Sequence, residues 1–409
     1  MVEPDSSLGE LRLLLEEVCC DLCRFEHVIR DGHSPETVRI DREYWLGSPG
    51  AFADIRVAPS GQAPYFVEVK YGYTNDRLVR HLARKYASTA GTSAAVARKI
   101  VLVVDRALRP GWELVEQELV SCLAQGLALE VWDEARLVSL LAERFGVSIP
   151  AITAENLLDV RQEIDRAKGF HAFGGPSLLE YEHDPLKAEL LWHFGFWRLK
   201  QLRGAGRATP RDILPPGSYP AVAVLLADLC SFSSYVRDTT DAEIVRESLT
   251  AFYSKARYQI INNGGMLYQF AGDEVIGLFG IPDHPHGFAD SVLDTARALC
   301  KIGESVTQRW QRRIDRVQAA AGLHVGIALG DLQVVSLRPF SRLHVGAIGD
   351  CINVASRLLT QAGPSEIVLS NAFYQQVEEH RQVRCHEIEP VDARNVGRIR
   401  AWKLVPPGP

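Results

Sequence analysis

The chain has 409 residues, more than one ordinary domain needs and enough for two. Hydrophobic residues make up 46% and charged residues 23%, so we expect folded domains with buried cores rather than disorder. The net charge of −6 argues against a surface built throughout to coat nucleic acid. The pattern predicts no secretory leader or membrane span, and eight cysteines are typical of a reduced compartment. We therefore expect a soluble cytoplasmic protein without a membrane partner.

Residues 1–166 are predicted to form a separate α/β domain, because helix and strand patterns alternate along them. In chain order the predicted elements are a helix at Leu11–Arg24, strands at Ala53–Val57 and Tyr65–Val69, a helix at Asn75–Ala87, a strand at Lys99–Val104, a helix at Trp112–Gln125, a strand at Leu127–Trp132 and a helix at Glu134–Arg144. This alternation indicates a central sheet with helices on its faces.

Residues 167–218 are predicted to form a helical linker or transducer. Gly169–Pro176 has a loop composition, Asp184–Arg203 has the periodicity of an aromatic helix, and Gly204–Pro220 is rich in helix breakers. The aromatic face of that helix is expected to pack either in the core of the same chain or against the same helix of a second copy.

Residues 219–409 form the third predicted segment, an α+β domain. The elements are a strand at Ala221–Ala227, a long helix at Ser233–Asn262, a strand at Gly265–Phe270, a turn at Ala271–Asp273, a strand at Val275–Phe279, a helix at Phe288–Ile314, a strand at Ala321–Ile327 and a helix at Cys351–Ala362. This β-α-β-β-α-β order predicts a ferredoxin-like sheet with its helices on one face.

Two acidic residues follow strand signals in this domain. Asp228 ends the apolar run AVAVLLAD, and Asp273 lies in the turn of the hairpin FAGDEV. Two carboxylates meeting at a sheet edge would suit Mg²⁺ or Mn²⁺, which prefer oxygen ligands. Asp228 also precedes a predicted helix start, where backbone N–H groups favour a polyphosphate. The alternative is that Asp228 only caps that helix.

Asn353 and Arg357 are four residues apart on a predicted helix and therefore share a face. That face offers an amide and a guanidinium, which are suited to a ribose and to a phosphate whose charge increases during a reaction. The alternative is an ordinary solvated polar face.

Four segments together resemble the class III nucleotide cyclase family: DLCSFS, FAGDEV, VGIALG at Val325–Gly330 and RLHVGAIGDCINVASRL at Arg342–Leu358. They occur in the family's order and spacing over roughly Tyr219 to Leu404. The resemblance implies a homodimer with two sites shared across the interface and a nucleoside triphosphate as substrate. It also implies two divalent cations, Mg²⁺ or Mn²⁺, and conversion of the substrate to a 3′,5′-cyclic monophosphate and pyrophosphate.

The resemblance also implies roles for single residues. One protomer would hold the metals with Asp228, Leu229 and Asp273, while the other would supply Asn353 and Arg357 as catalytic residues. The residues implied in phosphate binding are Cys230, Ser231, Phe232, Ser233, Arg394 and Arg398. The two arginines are loose substitutes, because Val396 stands where the family usually carries a lysine before a glycine.

Two positions that contact the base depart from the family pattern. Adenylyl cyclases carry Lys and Asp or Thr there, and guanylyl cyclases carry Glu and Cys, whereas this chain has Gln269 and Gly346. Gln both donates and accepts, and Gly has no side chain, so purine recognition is expected to be lost. These departures resemble the bacterial pyrimidine cyclases of the Pycsar anti-phage system. That resemblance favours UTP, then CTP; the alternative is an adenylate cyclase that makes cyclic AMP under the control of the first domain.

The first domain carries a cluster of its own. Asp54 in GAFADIRV, and Glu68 and Lys70 in YFVEVKYG, are expected to meet on neighbouring strands. The cluster resembles the PD-(D/E)xK restriction-endonuclease-like fold, in which two carboxylates and a lysine hold Mg²⁺ and polarise a water molecule.

A basic stripe at Arg77, Arg80 and Arg84 follows this cluster at helical spacing and would suit a phosphate backbone. The alternative is a solvated helix face. We expect a regulatory domain that senses nucleic acid or a phage-derived trigger. The remaining alternative is a nuclease or nucleic-acid-binding protein in which the cyclase fold serves only as a dimer scaffold.

Cys20, Cys23 and His27 share one face of the first predicted helix. A zinc site needs a further ligand that the neighbouring sequence does not supply, so we expect these residues to pack in the core.

Overall fold

The computed structural model describes residues 4–88, 92–174, 185–207, 209–284, 287–337, 344–378, 384–393 and 396–405. The chain forms two compact units, Met1–Lys168 and Gly169–Pro409. Within the described ranges, no helix combines the length and the apolar character that crossing a membrane requires.

The first unit is built on a five-stranded sheet whose spatial order follows the chain, β1-β2-β3-β4-β5. Its strands are β1 (Val38–Trp45), β2 (Phe52–Pro59), β3 (Tyr65–Val69), β4 (Lys99–Val103) and β5 (Ala128–Trp132). Its helices are α1 (Pro4–Phe25), α2 (Asn75–Tyr86), α3 (Trp112–Cys122), α4 (Glu134–Phe145) and the start of α5 (Leu157–Phe173). β1, β2 and β3 pair antiparallel, whereas β3, β4 and β5 pair parallel through helical connections.

The sequence pattern does not predict β1, because Asp41, Arg42 and Glu43 interrupt its apolar residues. All three are buried, and each of two has an identified partner: Arg42 pairs with Glu16 of α1, and Asp41 accepts a hydrogen bond from Arg56 Nη1 at 3.0 Å. Hydrophobic alternation does not identify this strand, because charged residues occupy positions that face inward and are paired there.

The second unit contains an eight-stranded sheet in the order β12-β13-β11-β9-β6-β8-β7, with β10 paired to β9. Its strands are β6 (Gly217–Leu229), β7 (Met266–Ala271), β8 (Glu274–Phe279), β9 (Leu323–Leu337), β10 (His344–Ile348), β11 (Glu366–Ser370), β12 (Cys385–Ala393) and β13 (Gly397–Leu404). Its helices after α5 are α6 (Pro185–Gly204), α7 (Pro210–Ile213), α8 (Phe232–Asp238), α9 (Ala242–Asn262), α10 (Phe288–Ile314), α11 (Asp350–Leu359) and α12 (Asn371–Glu378).

Strands β9, β6, β8 and β7 are adjacent and antiparallel, which is the order of a ferredoxin-like sheet. Alternate residues of β6, such as Ala223 and Leu225, enter one core with Phe252 of α9 and Val292 of α10. Both long helices therefore cover the same face of β6, which leaves the strand ends and the hairpin turns at the edge of a rigid layer.

Two predicted boundaries differ from the structure. Residues 169–173 continue α5 instead of forming a loop, because Ala172 and Phe173 are buried and extend the apolar face of that helix. The predicted helix from Ser233 to Asn262 is two helices, since Asp241 accepts a hydrogen bond from the backbone N–H of Glu243 at 2.9 Å and begins α9 anew.

Candidate active site

The end of β6 and the β7–β8 turn place two acids side by side. In the register of the sheet Asp228 lies opposite Glu274, the first residue of β8. Asp273 immediately precedes that residue in the two-residue turn, where Gly272 adopts a left-handed conformation with φ 65°. The tight turn therefore brings the carboxyl group of Asp273 beside that of Asp228.

The two carboxyl groups contact each other through a side-chain hydrogen bond. Burial, with the adjacent Asp228 adding to it, raises the pKa of Asp273 to about 7. Burial also raises the pKa of Asp228. Two ionised carboxylates in contact repel each other, so the pair retains a proton up to about pH 7 unless a cation replaces it.

The donor set of this pair suits a hard divalent cation. Neither acid has a lysine or arginine partner in the part of the chain that the structure describes. Glu274 adds a third carboxyl group, and burial followed by the charge of Asp273 raises its pKa as well. Leu229 has a buried side chain, so only its backbone carbonyl has the chemistry of a ligand. These oxygen donors fit Mg²⁺ or Mn²⁺.

The chain turns sharply after β6, where a phosphate site is predicted. Ser231 has φ 60° and ψ 20°, and α8 begins at the next residue. The N–H of Cys230 donates to the carbonyl of Gly322 at 3.1 Å, so that group is already engaged. The N–H groups of Ser231, Phe232 and Ser233 remain for a phosphate, because the first turn of a helix leaves its donors without intrahelical acceptors.

Asn353 and Arg357 both lie exposed on α11, on the side opposite Val354 and Leu358, which are buried. The structure thus gives them one shared face, as their spacing predicts. Arg398 is also exposed, on β13, with its Nε 3.8 Å from Asp392 Oδ1. Arg394 lies outside the described residues.

The two candidate base-contacting positions lie on different strands that a tyrosine connects. Gln269 is half-buried on β7, and Gly346 is buried on β10. Their chain neighbours are in contact, because the hydroxyl of Tyr268 accepts a hydrogen bond from the backbone N–H of Ala347 at 3.1 Å. Sequence analysis missed Tyr268, whose only signal is its place next to Gln269. The irregular register between Leu267 and Gln269 disturbs the simple alternation of faces there.

A second tyrosine supports the acidic turn. Tyr253 of α9 donates its hydroxyl hydrogen to the carbonyl of Gly272, and its ring stacks on Phe270 with centroids 4.1 Å apart. The hairpin that carries Asp273 is thus held from the helix side. Sequence analysis missed this residue as well, because a tyrosine on an amphipathic helix gives no signal of its own.

In the first unit, the structure brings the three residues of the other predicted cluster together. Lys70 Nζ contacts Asp54 Oδ2 and lies 2.8 Å from Glu68 Oε2. Asp54 also accepts a hydrogen bond from the N–H of Val69 at 2.8 Å. Glu68 and Lys70 are almost completely buried.

Further groups from α2 occupy Glu68. Lys85 Nζ bonds both carboxylate oxygens at 2.9 and 2.8 Å, and the Tyr86 hydroxyl donates to Oε1 at 2.5 Å. His81 lies 4.0 Å away, and burial, followed by the charges of Lys85 and Lys70, lowers the pKa of that histidine to about 2. Lys85, Tyr86 and His81 follow one another at helical spacing, but only the fold shows that they meet Glu68.

Comparison with known proteins shows what the second unit resembles. Residues 214–405 match the family described as the adenylate and guanylate cyclase catalytic domain. This part of the chain is therefore similar to that catalytic domain.

Relatives of known sequence are distant and longer. An uncharacterized protein of Mycobacterium tuberculosis is 26% identical over 175 residues, which are 42% of this chain and 29% of that protein. Adenylate cyclase 1 of Rhizobium meliloti is 28% identical over 144 residues, 34% of this chain and 20% of that protein. The matched region thus spans less than a third of the length of these relatives.

Among solved structures, the adenylyl cyclase CyaB from P. aeruginosa is similar with a TM-score of 0.43 and 20% identity, covering 48% of this chain and 98% of that one.

Proposed function

We propose that the protein is a nucleotide cyclase, which converts a nucleoside triphosphate to its 3′,5′-cyclic monophosphate and pyrophosphate. The observation that carries the proposal is the contact between Asp228 and Asp273 at the end of β6, where two acids lack a cationic partner among the described residues. The cyclase catalytic domain supports the reaction class.

The residues have distinct roles in this reaction. Asp228 and Asp273, with the carbonyl of Leu229, would hold two divalent cations once the shared proton is released. Bound Mg²⁺ or Mn²⁺ supplies activation of the ribose 3′-hydroxyl and neutralises charge on pyrophosphate. The free N–H groups at Ser231–Ser233 bind the outer phosphates. A bond forms between the 3′-oxygen and the α-phosphorus, and the bond between the α-phosphorus and the oxygen that bridges to the β-phosphate breaks. Pyrophosphate leaves, and the proton of the 3′-hydroxyl passes to solvent.

Asn353 and Arg357 complete the site of a second copy in the proposed homodimer. Arg357 donates to the α-phosphate as its charge grows, and Asn353 orients the ribose. Their exposure in one chain supports this role, since neither side chain is committed to the core of its own unit.

Complementation tests the sharing of residues across the interface. Asp273→Ala and Arg357→Ala variants are each expected to be inactive, and mixing equal amounts is expected to restore about a quarter of wild-type activity. Half of the dimers would then be mixed, with one intact site of two. No recovery, in mixtures shown to exchange subunits, would contradict a site built from two copies.

The proposed substrate is a pyrimidine nucleotide, with UTP favoured over CTP. Gln269 presents an amide that both donates and accepts, and Gly346 presents only backbone. The Tyr268 hydroxyl connects the two strands through its hydrogen bond with Ala347. Neither Gln269 nor Gly346 has a charged side chain that could contact a base. A site without the polar groups that a purine requires loses most of its discrimination for purines.

Product identification is the decisive experiment. The full chain is incubated with an equimolar mixture of ATP, GTP, CTP and UTP and Mn²⁺, and the products are separated by chromatography. Cyclic UMP as the main product is expected. Cyclic AMP as the main product would identify an adenylate cyclase instead, and absence of any cyclic product would leave the cyclase fold as a scaffold.

We further infer that the first unit is a sensing module whose trigger is nucleic acid or a phage-derived molecule, within an anti-phage signalling system. Its element order, an antiparallel β1–β3 followed by α2 and a parallel β4, supports the likeness to restriction endonucleases. The pairing of Glu68 with Lys85 favours sensing over cleavage, because lysine already neutralises the acid that a metal would need.

Plasmid incubated with Mg²⁺ or Mn²⁺ should remain intact; cleavage abolished by Glu68→Ala would instead identify a nuclease. Phage protection that disappears with Asp273→Ala tests the defence role.

A further inference from the structure

A three-residue cluster in the first unit lies outside both sites described above. His27, Asp31 and His33 each offer one ligand atom, and these atoms all lie within 4.8 Å of one another. His27 is buried, while Asp31 and His33 open to solvent. The cluster follows α1, where residues Glu26–Arg30 form a π-helical turn, a rare conformation that often accompanies functional sites.

The backbone holds the three residues in one turn. The carbonyl of His27 accepts hydrogen bonds from the N–H of Asp31 at 3.2 Å and from that of His33 at 3.1 Å. Gly32 lies between them with φ 71°, a left-handed conformation that directs the chain back on itself. The relative positions of the three side chains are therefore set before any ligand binds.

Surrounding side chains orient the ring nitrogens and the carboxylate. Thr37 donates its hydroxyl hydrogen to the carbonyl of Ser34 at 2.8 Å, so its oxygen accepts from Nδ1–H of His33 at 3.3 Å. Nε2 of His33 then carries the lone pair that faces Gln62. On the other side, His27 Nε2 lies 3.1 Å from the Tyr65 hydroxyl, which leaves Nδ1 facing Asp31 at 2.8 Å. Partners of this kind on the outer nitrogens are a regular feature of metal-ligating histidines.

One amide marks the centre of the cluster. Nε2 of Gln62 donates to Asp31 Oδ2 and to His33 Nε2, both at 3.3 Å. A positively polarised NH₂ group thus bridges two acceptors at the point where a cation would bond to both. The remaining oxygen of Asp31, Oδ1, accepts from Arg30 Nε at 3.0 Å, which fixes the carboxylate plane.

We propose that His27, Asp31 and His33 bind a divalent transition-metal cation of the Zn²⁺ type. Two imidazole nitrogens and one carboxylate suit Zn²⁺ and related ions better than Mg²⁺, which prefers oxygen. Ligand atoms of tetrahedral Zn²⁺ lie about 3.4 Å apart, so the side chains adjust as the amide of Gln62 turns away to admit the ion. Water completes the coordination.

Zinc binding to the chelator-treated full chain tests the proposal, in excess Mg²⁺ that saturates the oxygen site of the second unit. Wild type is expected to bind one equivalent of Zn²⁺, measured by competition with a zinc indicator, and to give a Co²⁺ absorption band typical of nitrogen ligands. Asp31→Asn combined with His33→Ala should weaken the affinity at least about 100-fold. Both substitutions are at the surface, and unchanged thermal melting without metal would show that the variant folds.

The matched control is Gln62→Ala, which changes the same surface without removing a ligand and should retain the bound equivalent. Thr37→Val keeps all three ligands but removes the acceptor for His33, so a loss of about 10-fold is expected. The proposal is overturned if the double variant binds Zn²⁺ as tightly as wild type, or if Asp273→Ala removes the equivalent instead. Failure of this site would leave the proposed cyclase function untouched.

Discussion

The two units each place a pair of acids on or beside neighbouring strands, buried in the first unit and half-buried in the second, and the pairs differ in what neutralises them. In the first unit Lys70 bridges Asp54 and Glu68, and Lys85 bonds both oxygens of Glu68. In the second unit Asp228 and Asp273 contact each other beside a third acid, and neither has a lysine or arginine partner among the described residues. The first cluster is electrically complete, whereas the second one requires either a proton or a cation from outside.

This difference separates a structural role from a chemical one. Disrupting a buried ion pair costs much free energy of folding, but its charges are already neutralised and do not bind a ligand. A carboxylate pair without basic partners has a raised pKa and binds a proton or a cation. Carboxyl groups with a raised pKa are typical of functional sites. The comparison therefore supports the proposal that catalysis belongs to the second unit and that the first unit has a stabilising or sensing role.

The largest expected effect comes from breaking the acidic pair of the second unit. Asp273→Ala should lower cyclase turnover at least about 10³-fold, because it removes a ligand shared by the cations that stabilise the reacting charges. The dimer should persist in size-exclusion chromatography. Glu389→Ala, an exposed acid on β12, is the matched control and should keep full activity. Full turnover in the Asp273 variant would refute the assignment of the metal site.

Breaking the acidic cluster of the first unit should affect stability instead of turnover. Glu68→Gln leaves Lys85 buried without a counter-charge, whereas Lys70 keeps Asp54, at an expected cost of about 3–5 kcal/mol in the free energy of unfolding. Urea unfolding measures this cost, and Glu118→Gln on the exposed side of α3 should change it by less than about 0.5 kcal/mol. A Glu68 variant as stable as wild type would show that the cluster is not electrically complete.

The response to pH should distinguish the two clusters further. The pKa of Asp273 is raised from 3.8 to about 7, so the protonated pair stabilises the metal-free fold fully below pH 3.8, and this contribution disappears as the pH rises through 7. Mg²⁺ competes with that proton. Its stabilisation, measured as the shift in melting temperature, should therefore be larger at pH 8 than at pH 6.

Asp273→Asn provides the control for this pH response, because an amide cannot exchange a proton for a cation. The variant should show a small Mg²⁺ shift of equal size at both values. An equally large shift at pH 6 and pH 8 in the wild type would mean that no proton leaves the acidic pair when the metal binds.

Sequence reasoning reached the second unit's site because its residues lie in short local motifs. Asp228 ends a strand and Asp273 occupies a hairpin turn, so β-pairing alone brings them together. It could not reach Tyr268 or Lys85, whose roles depend on contacts across 79 and 17 residues of chain. It also missed β1, because charged residues interrupt its apolar pattern; these residues are buried, and Asp41 and Arg42 are paired. The local sequence pattern thus predicts secondary-structure elements and turns. The partners of buried charges can be identified only from the packing of the folded chain.

The smallest expected effect concerns the surface of α2, where Arg77, Arg80 and Arg84 are exposed opposite the buried Leu78 and Leu82. If this stripe binds a phosphate backbone, replacing all three arginines by alanine should reduce the slope of log affinity against log salt by up to about 3.

Arg136→Ala, an exposed arginine on α4, should leave that slope unchanged, which makes it the matched control. Fluorescence anisotropy with labelled duplex DNA at several salt concentrations measures both. Basal cyclase turnover should be the same in the triple variant, because the stripe does not belong to the acidic site. An unchanged slope would reduce the stripe to a solvated face, and the first unit would then have to sense its trigger through another surface.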